Sequence, residues 1–185
     1  PIPKEIYVNN LIKKYSFKPE KWILKAIIGE YDDPNNQKQG LLTLDFTESP
    51  NTLIYGIDGK EIMLTSIIYS LIISHAPEEL NIYIIDFGTE MFGIFKEAPQ
   101  VGDVIFLTEE EKLVNLFNTI VGELDRRKKL FVDYNGDYNL FIKNSGKTLP
   151  RLIIFLNNYE IFTENYEDYV DVLSGLSREG EKYGI

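Results

Sequence analysis

Residues 51–86 read NTLIYGIDGKEIMLTSIIYSLIISHAPEELNIYIID. Two short apolar runs in this stretch, Thr52–Tyr55 and Asn81–Asp86, have the length and composition of buried strands. Between them, residues from about 61 to 75 are apolar nearly all round, which predicts a buried central helix that Pro77 ends. A strand, a loop, a helix and a second strand in this order predict a βαβ unit, and therefore an α/β fold with a mainly parallel central sheet flanked by helices.

The same alternation continues toward the C-terminus. Val104–Leu107 and Leu152–Leu156 are two more apolar runs, and they predict a third and a fourth strand. Thr108 is predicted to cap the helix between them, which has acids at its start and bases at its end, as suits the helix dipole. The remaining features of this region are the acids Glu109, Glu110 and Glu111, the bases Arg126–Lys129, a polar surface loop or short helix at 133–148, and a final helix at about 164–178.

Residues 1–50 predict an extended, turn-rich lead-in with a small β appendage. Pro1, Pro3 and Pro19 interrupt it. The turn signal at 32–36 has short strands on either side, Ile27–Gly29 and Leu41–Phe46. We therefore predict two parts, a lead-in of residues 1–50 and an α/β domain of residues 51–185. The final residues, Tyr183-Gly184-Ile185, look like the approach to another strand, so we expect this domain to continue in a longer polypeptide.

The composition excludes several classes of function. No apolar run approaches the roughly 20 residues that cross a bilayer as a helix, and the N-terminus does not resemble a signal peptide, so direct membrane contact is not expected. The chain has no cysteine, which excludes a disulfide framework and zinc held by thiolates. Its formal net charge of −10 would repel a phosphate backbone, so no nucleic-acid partner is expected.

The loop after the first predicted strand matches a phosphate-binding loop only in part. In the pattern G-x-x-x-x-G-K-[ST], glycines allow a tight wrap, the lysine reaches the terminal phosphates, and the hydroxyl binds Mg²⁺. This chain keeps Gly56, Gly59 and Lys60, but its loop is two residues shorter and Glu61 stands at the hydroxyl position. Glu61 and Asp58 would place negative charge beside the phosphates. By itself, the stretch also fits an ordinary glycine turn between a strand and a helix.

The carboxyl ends of the strands supply the other candidate site residues, because open α/β sheets bind ligands there. The fourth strand should end in an aspartate that holds Mg²⁺, but it ends in Asn157, a neutral amide that cannot act as a base. Asp86 ends the second strand, where it would either orient a nucleotide or a neighbouring loop, or cap local backbone groups. We predict no catalytic residue and no metal ligand set.

Motifs along nearly the whole chain resemble one family in their order and spacing. They resemble the FtsK/SpoIIIE group of P-loop ATPases, and within it the tandem ATPase modules of EssC-like type VII secretion motors of Gram-positive bacteria. The stretches that carry the resemblance are Ile28–Pro34 with Gln37 and Gln39, Tyr55-Gly56, Ser70-Leu71, Ser74–Glu79, Ile82–Gly88, Glu123–Arg127, Leu149-Pro150, Arg178–Gly180 and Tyr183–Ile185.

The resemblance implies a RecA-like P-loop NTPase fold and a degenerate nucleotide site. By position, Gly56, Gly59 and Lys60 are remnants of the phosphate loop, while Glu61 replaces its Ser/Thr and Asn157 replaces the metal-holding Asp. Glu181 stands where the family often has a basic residue. These departures predict a module that hydrolyses ATP very slowly or not at all. The phosphate-binding residues that remain predict weak ATP binding and leave Mg²⁺ binding open.

The resemblance also implies a role, partners and a location. A degenerate module is expected near the C-terminus of such a motor, where it would regulate the motor or dock exported substrates. The implied partners are the other ATPase modules of the same polypeptide and secreted helical substrates of the WXG type. The implied location is the cytoplasmic face of the cell membrane, as the soluble part of a membrane-anchored protein.

Two alternatives for the function stay open. One is an active ATPase module in the assembled motor, completed by neighbouring domains, and the other is a fragment of an FtsK-like DNA translocase. His75 is interpreted as a structural residue of a turn, and the bases Arg126–Lys129 as a solvated helix end, although they also suit an arginine finger. The tyrosines predicted to lie at the surface, a composition that suits protein contacts, are Tyr134, Tyr138, Tyr159, Tyr166 and Tyr169.

Overall fold

The computed structural model describes residues 5–185. Pro1 and Pro3 of the predicted lead-in lie outside the described residues. The chain forms two compact units, one that ends at His75 and one that comprises Ala76–Ile185. The predicted division at residue 50 stays a prediction.

The first unit contains two helices and an antiparallel pair of strands. The strands are paired from Lys25 with Asp45 to Asp33 with Lys38, and a bulge lies between Ile27 and Gly29. The hairpin turn is a 3-10 helix with a proline at its start, and the Asp33 carboxylate accepts a hydrogen bond from the Asn36 backbone N–H (3.3 Å). The predicted β appendage is therefore confirmed. The elements are α1 (Val8–Lys14), β1 (Lys25–Asp33), the 3-10 helix Pro34–Asn36, β2 (Lys38–Asp45) and α2 (Lys60–Ser74).

The predicted central helix is confirmed as α2, but it is not buried all round. Ile67, Ile68 and Leu71 are buried, whereas Ile62 and Ile73 are exposed. Ser70, on the buried face, accepts a hydrogen bond from the Ile27 backbone N–H (2.8 Å) and so satisfies a buried donor at the bulge of β1. A helix with apolar residues on every side does not indicate in advance which face its neighbours cover.

Two predictions for the first unit are wrong. The lead-in is not extended throughout, since α1 is helical and buries Leu11. A helix this short contains too few apolar residues to show a helical period in the sequence. Residues 52–55, predicted to be the first strand, form no strand in the described part of the chain. Leu53 and Tyr55 are 66% and 85% exposed, and strand propensity without a hydrogen-bonding partner does not make a strand.

The second unit has a parallel three-stranded sheet in the order β4-β3-β5. The predicted second, third and fourth strands are thus confirmed, as is the mainly parallel sheet. The central strand β3 pairs on both sides, so that Asp86 stands opposite Phe106 on one neighbour and Asn157 on the other. The elements are β3 (Leu80–Asp86), the 3-10 helix Met91–Phe95, β4 (Val101–Phe106), α3 (Glu110–Leu130), the 3-10 helix Val132–Tyr134, α4 (Tyr138–Asn144), β5 (Arg151–Asn157), α5 (Tyr159–Asn165), α6 (Glu167–Glu179) and the 3-10 helix Gly180–Tyr183.

The core of this unit lies between the sheet and one face of α3. Ile85 and Ile105 of the sheet belong to this core together with Phe162 of α5 and Leu176 of α6. Burying a side chain of this kind contributes about 1.5–3 kcal/mol. The buried apolar residues of α3 recur at helical spacing, and they are Leu113, Leu116, Phe117, Ile120 and Leu124.

Three details of the second unit differ from the prediction. Glu109, not Thr108, is the N-cap residue of α3, and its carboxylate accepts a hydrogen bond from the Phe106 backbone N–H (3.0 Å). The predicted final helix at about 164–178 is confirmed as α6, but a short helix that was not predicted, α5, precedes it and ends next to Tyr166. The segment 133–148 does contain a short helix, but it is not confined to the surface, because α4 buries Tyr138 and Phe141 against Phe131.

Arg127 corrects the interpretation of the basic run as a solvated helix end. Its side chain is only 2% exposed, and it donates hydrogen bonds to the carboxylate of Glu123 and to three backbone carbonyls. Burial lowers the pKa of the Arg127 guanidinium, and the contact with Glu123 opposes that shift. The guanidinium therefore connects α3 to two distant segments. The carbonyl acceptors are those of Tyr183 (2.9 Å), Gly184 (3.0 Å) and Pro150 (2.7 Å).

We predict that Arg127→Met lowers the free energy of unfolding by about 3 kcal/mol, because it leaves buried acceptors without a donor. The matched control is Arg126→Met on the same helix, since Arg126 also pairs with Glu123 but is 54% exposed. The control should lose less than about 1 kcal/mol. Urea unfolding followed by circular dichroism measures both variants, and equal losses would contradict the structural role of Arg127.

Candidate functional site

The candidate phosphate loop lies in the first unit, just before α2. Gly59 is the N-cap residue of α2 and has a φ of 78°, a left-handed conformation that favours glycine. Lys60 is the first residue of the helix and is exposed. Glu61 lies in the first turn, where a carboxylate interacts favourably with the helix dipole. The structure thus gives Glu61 a helix-stabilising position whether or not a nucleotide binds.

The loop uses one of its own backbone donors internally. The Asp58 carboxylate accepts a hydrogen bond from the Gly59 backbone N–H at 2.8 Å. In a phosphate-binding loop, backbone N–H groups at the start of the helix would hold the phosphate oxygens instead. Asp58 and Gly56 are exposed, so water weakens the repulsion between Asp58 and an approaching phosphate without removing it.

Asp86 and Asn157 lie in the second unit, and the structure brings them into direct contact. The Asn157 Nδ2 group donates to Asp86 Oδ1 at 3.0 Å. Asp86 is fully buried, and it also accepts hydrogen bonds from the backbone N–H groups of Gly88 (3.2 Å) and Phe92 (3.2 Å). Of the two roles left open for Asp86, the structure thus shows the capping of neighbouring backbone groups.

Two further residues next to Asp86 and Asn157 were not predicted as site residues from the sequence. Gly88 lies so close that a Cβ atom there would be 2.4 Å from Asn157 Nδ2. Asn158 has a φ of 68°, caps α5 by accepting a hydrogen bond from the Ile161 N–H, and donates to the Phe87 carbonyl (3.4 Å). The Asn157-Asn158 doublet directly after a buried strand was the signal that could have indicated Asn158.

His75 and Tyr138, two further residues considered in the sequence, are both buried. His75 is buried and follows α2, and its backbone N–H donates to the Leu71 carbonyl (3.0 Å), in agreement with the structural interpretation. Tyr138 was predicted to lie at the surface but is buried, and burial raises the pKa of its hydroxyl to about 12. That hydroxyl donates to the Leu149 carbonyl (2.6 Å).

The described residues contain neither a metal-binding group of side chains nor a membrane-spanning helix. No group of three or more His, Asp or Glu side chains in residues 5–185 is arranged to hold a metal ion. No helix within the same range has the length and apolarity to cross a bilayer.

The parallel sheet of the second unit, with helices packed on it and polar residues at its strand ends, is of the α/β class that RecA-like ATPase domains share. The sequence matches the FtsK/SpoIIIE family over residues 15–153, so the chain belongs to this family.

One relative resembles almost the whole chain. The type VII secretion system protein EssC of Staphylococcus aureus (strain NCTC 8325) is 24% identical over 188 residues, a match that covers 97% of this chain and 13% of EssC. The chain therefore spans a small part of that relative. Together with the family match, this similarity identifies an EssC-like FtsK/SpoIIIE module.

Two solved structures share the fold. EssC (ATPases 2 and 3) from Geobacillus thermodenitrificans superposes with a TM-score of 0.84 at 24% identity, over 100% of this chain and 35% of that one. EccC (ATPases 2 and 3) from Thermomonospora curvata, in complex with a signal sequence peptide, superposes with a TM-score of 0.78 at 23% identity, over 89% of this chain and 32% of that one. The predicted RecA-like fold is confirmed.

We predict that Gly88→Ala destabilises the chain by about 1–3 kcal/mol, because its Cβ would displace the Asn157 amide from Asp86. Gly122→Ala is the matched control: Gly122 lies within α3, and a Cβ there would meet no atom within 4 Å. In the control the same substitution should stabilise the helix by up to about 1 kcal/mol. Thermal unfolding compares the two, and a shift in the same direction for both would refute the close approach at Gly88.

Proposed function

We propose that the chain is a module of a type VII secretion motor that binds ATP weakly, does not hydrolyse it, and regulates the motor or docks its exported substrates. The observation that carries this proposal is the hydrogen bond from the Gly59 N–H to Asp58 at the start of α2. In this loop a carboxylate of the chain occupies a backbone donor that a phosphate group would need.

Charge adds to this competition. A triphosphate that approached Gly59 and Lys60 would meet the negative charges of Asp58 and Glu61. Two like charges about 4 Å apart repel by about 1 kcal/mol in water and by about 4 kcal/mol near a protein surface. Lys60 supplies one compensating positive charge, which supports weak binding of ATP but not firm binding of Mg²⁺ and triphosphate together.

The strand ends support the same proposal. Hydrolysis in this class of fold uses a carboxylate at the end of a strand to hold Mg²⁺ and orient the attacking water. Asn157 offers no such charge, and the carboxylate next to it, that of Asp86, is buried and accepts three hydrogen bonds from the chain itself. Both of its oxygens already accept hydrogen bonds, so a metal ion would have to compete with these donors for Asp86.

The proposed setting follows from the relatives. EssC of S. aureus is a type VII secretion system protein, and the EssC and EccC structures each contain ATPases 2 and 3. We therefore propose other ATPase modules of the same polypeptide as partners. We place the module at the cytoplasmic face of the membrane, as part of a membrane-anchored protein. Because the EccC structure holds a signal sequence peptide, exported helical substrates of the WXG type are the proposed cargo.

We predict that the purified chain shows no Mg²⁺-dependent ATP hydrolysis above the background of its Lys60→Ala variant. A coupled assay for phosphate release measures this turnover, with the assay repeated on the full motor polypeptide carrying the same substitution. Robust turnover that Lys60→Ala abolishes in the isolated chain would rule out the proposal. Turnover that appears only in the full motor and depends on Lys60 would favour an active module completed by its neighbours.

We also predict that Asp58→Ala tightens ATP binding about tenfold, which corresponds to about 1.4 kcal/mol, because it frees the Gly59 N–H and removes a charge from the loop. Asp32→Ala is the matched control, since Asp32 is an exposed acid of β1 outside the loop. Isothermal titration with ATP should show little change for this control. An equal gain in affinity for both variants would mean that net charge, not the hydrogen bond, limits ATP binding, and no gain for Asp58→Ala would contradict the prediction.

A further inference from the structure

The sheet edge around Asp86 depends on a hydrogen bond that the proposed function leaves unexplained. If position 157 had only lost a metal-holding aspartate, many other residues could stand there, because no metal ion would constrain the side chain. The side chain present is instead one whose N–H group reaches Asp86 Oδ1 at 3.0 Å. At this distance from a carboxylate oxygen only a donor is tolerated, so the amide nitrogen must face Asp86.

Asp86 in turn holds the loop that follows β3. Its Oδ1 accepts the Gly88 N–H, and its Oδ2 accepts the Phe92 N–H at the start of the 3-10 helix Met91–Phe95. The N-cap residue of that 3-10 helix, Glu90, makes no capping hydrogen bond with its own side chain. Asp86 therefore supplies the cap from the neighbouring strand end, and the buried ring of Phe92 follows this anchored N–H group.

Two further hydrogen bonds connect the ends of β3 and β5. The Phe87 N–H donates to the Asn157 carbonyl (3.3 Å), and Asn158 Nδ2 donates back to the Phe87 carbonyl (3.4 Å). Asn158 makes this contact while it holds a left-handed φ and caps α5. A non-glycine residue in this conformation costs about 1 kcal/mol, so the surrounding contacts must compensate.

We infer that Asn157 is a positioning residue: its amide N–H holds the Asp86 carboxylate in the orientation that fixes the loop of residues 87–95 to the ends of β3 and β5. We call Asp86 and Asn157 with their mutual hydrogen bond the strand-end clasp. The inference goes beyond the proposed function, because it assigns a role to Asn157 that does not depend on nucleotide binding. A carboxylate at position 157 would not rebuild a metal site without first breaking this clasp.

The clasp contains one carboxyl group, that of Asp86. Charged residues do occur on the elements around β3, but none of them pairs with Asp86 in the described part of the chain. Asp103 and Glu109 contact Lys112 instead, and Arg151 is at the opposite end of β5. The charged residues on or beside the packed elements include Glu90, Lys96, Glu97, Asp103, Glu109, Glu110, Glu111, Lys112, Arg151, Glu160 and Glu164.

The decisive variant is Asn157→Asp, which changes the donor to an acceptor without a change in size. Two buried carboxylates in contact share a proton, so the pKa of the pair rises above that of a carboxyl in the unfolded chain. A raised folded-state pKa means that stability is present when the pair is protonated and is lost as the pH rises through that pKa. We therefore expect a melting temperature close to that of the unsubstituted chain at about pH 5 and clearly below it at about pH 8.

The control is the exchange of the two side chains, Asp86→Asn with Asn157→Asp, which keeps one carboxylate and one amide. An amide at position 86 has one acceptor atom, so either the Gly88 or the Phe92 N–H loses its acceptor and the melting temperature should fall. This loss should be the same at about pH 5 and pH 8. Amide hydrogen exchange at Gly88 and Phe92 supplies a local readout. Exchange at both amides should be about tenfold or more faster in Asn157→Asp than in the unsubstituted chain at about pH 8, after both rates are corrected for intrinsic exchange.

Three results would overturn the inference. They are a melting temperature of Asn157→Asp that equals that of the unsubstituted chain at about pH 8, an equal loss at about pH 5 and pH 8, and unchanged protection of Gly88 and Phe92. If Asn157→Asp does not fold at about pH 8, its folding at about pH 5 supports the inference, and its failure to fold at both pH values overturns it. None of these readouts involves ATP, so active hydrolysis would refute the proposed function and leave this test intact.

Discussion

The double pairing of β3 is the constraint on which the second unit depends. Because this strand is hydrogen bonded to β4 on one side and to β5 on the other, its last residue, Asp86, is placed opposite the last residues of both neighbours. Parallel strands in such a sheet bring their carboxyl ends to one edge. Burial at that edge then demands a partner for every polar atom, and the hydrogen bonds of Asp86 and Asn157 meet this demand.

The same physical principle supports the proposal that the candidate site is not catalytic. Chemistry on a triphosphate needs donors and charges that remain available until the ligand arrives. In this chain the carboxylate of Asp58 takes the Gly59 N–H, and the carboxylate of Asp86 accepts three donors of the protein itself. Groups that are satisfied within the protein favour a stable fold, but they offer little to a metal ion or a phosphate.

Arg127 shows how a neighbouring pair of identical residues can have different roles. Arg126 and Arg127 both contact Glu123, and burial alone would raise the pKa of that carboxyl, but the hydrogen bonds from the two arginines outweigh burial and lower it. Only Arg127 continues to the carbonyls of Pro150, Tyr183 and Gly184. One buried side chain therefore connects α3, the start of β5 and the last residues of the chain.

The sequence by itself determined the α/β class, the hairpin near residue 33, three parallel strands and the helices α2 and α3, because long apolar runs and their spacing report secondary structure directly. It also indicated that Asp86 and Asn157 each end a strand, whereas the pairing of these two strands comes from the tertiary structure. Only the tertiary structure decided that residues 52–55 are unpaired, that Arg127 is buried while Arg126 is not, and that Asn157 donates to Asp86 beside a glycine that leaves room for it. The physical reason is that hydrogen-bond partners and burial are properties of residues far apart in the chain. A local pattern shows what a side chain can offer, and only the folded arrangement shows what it meets.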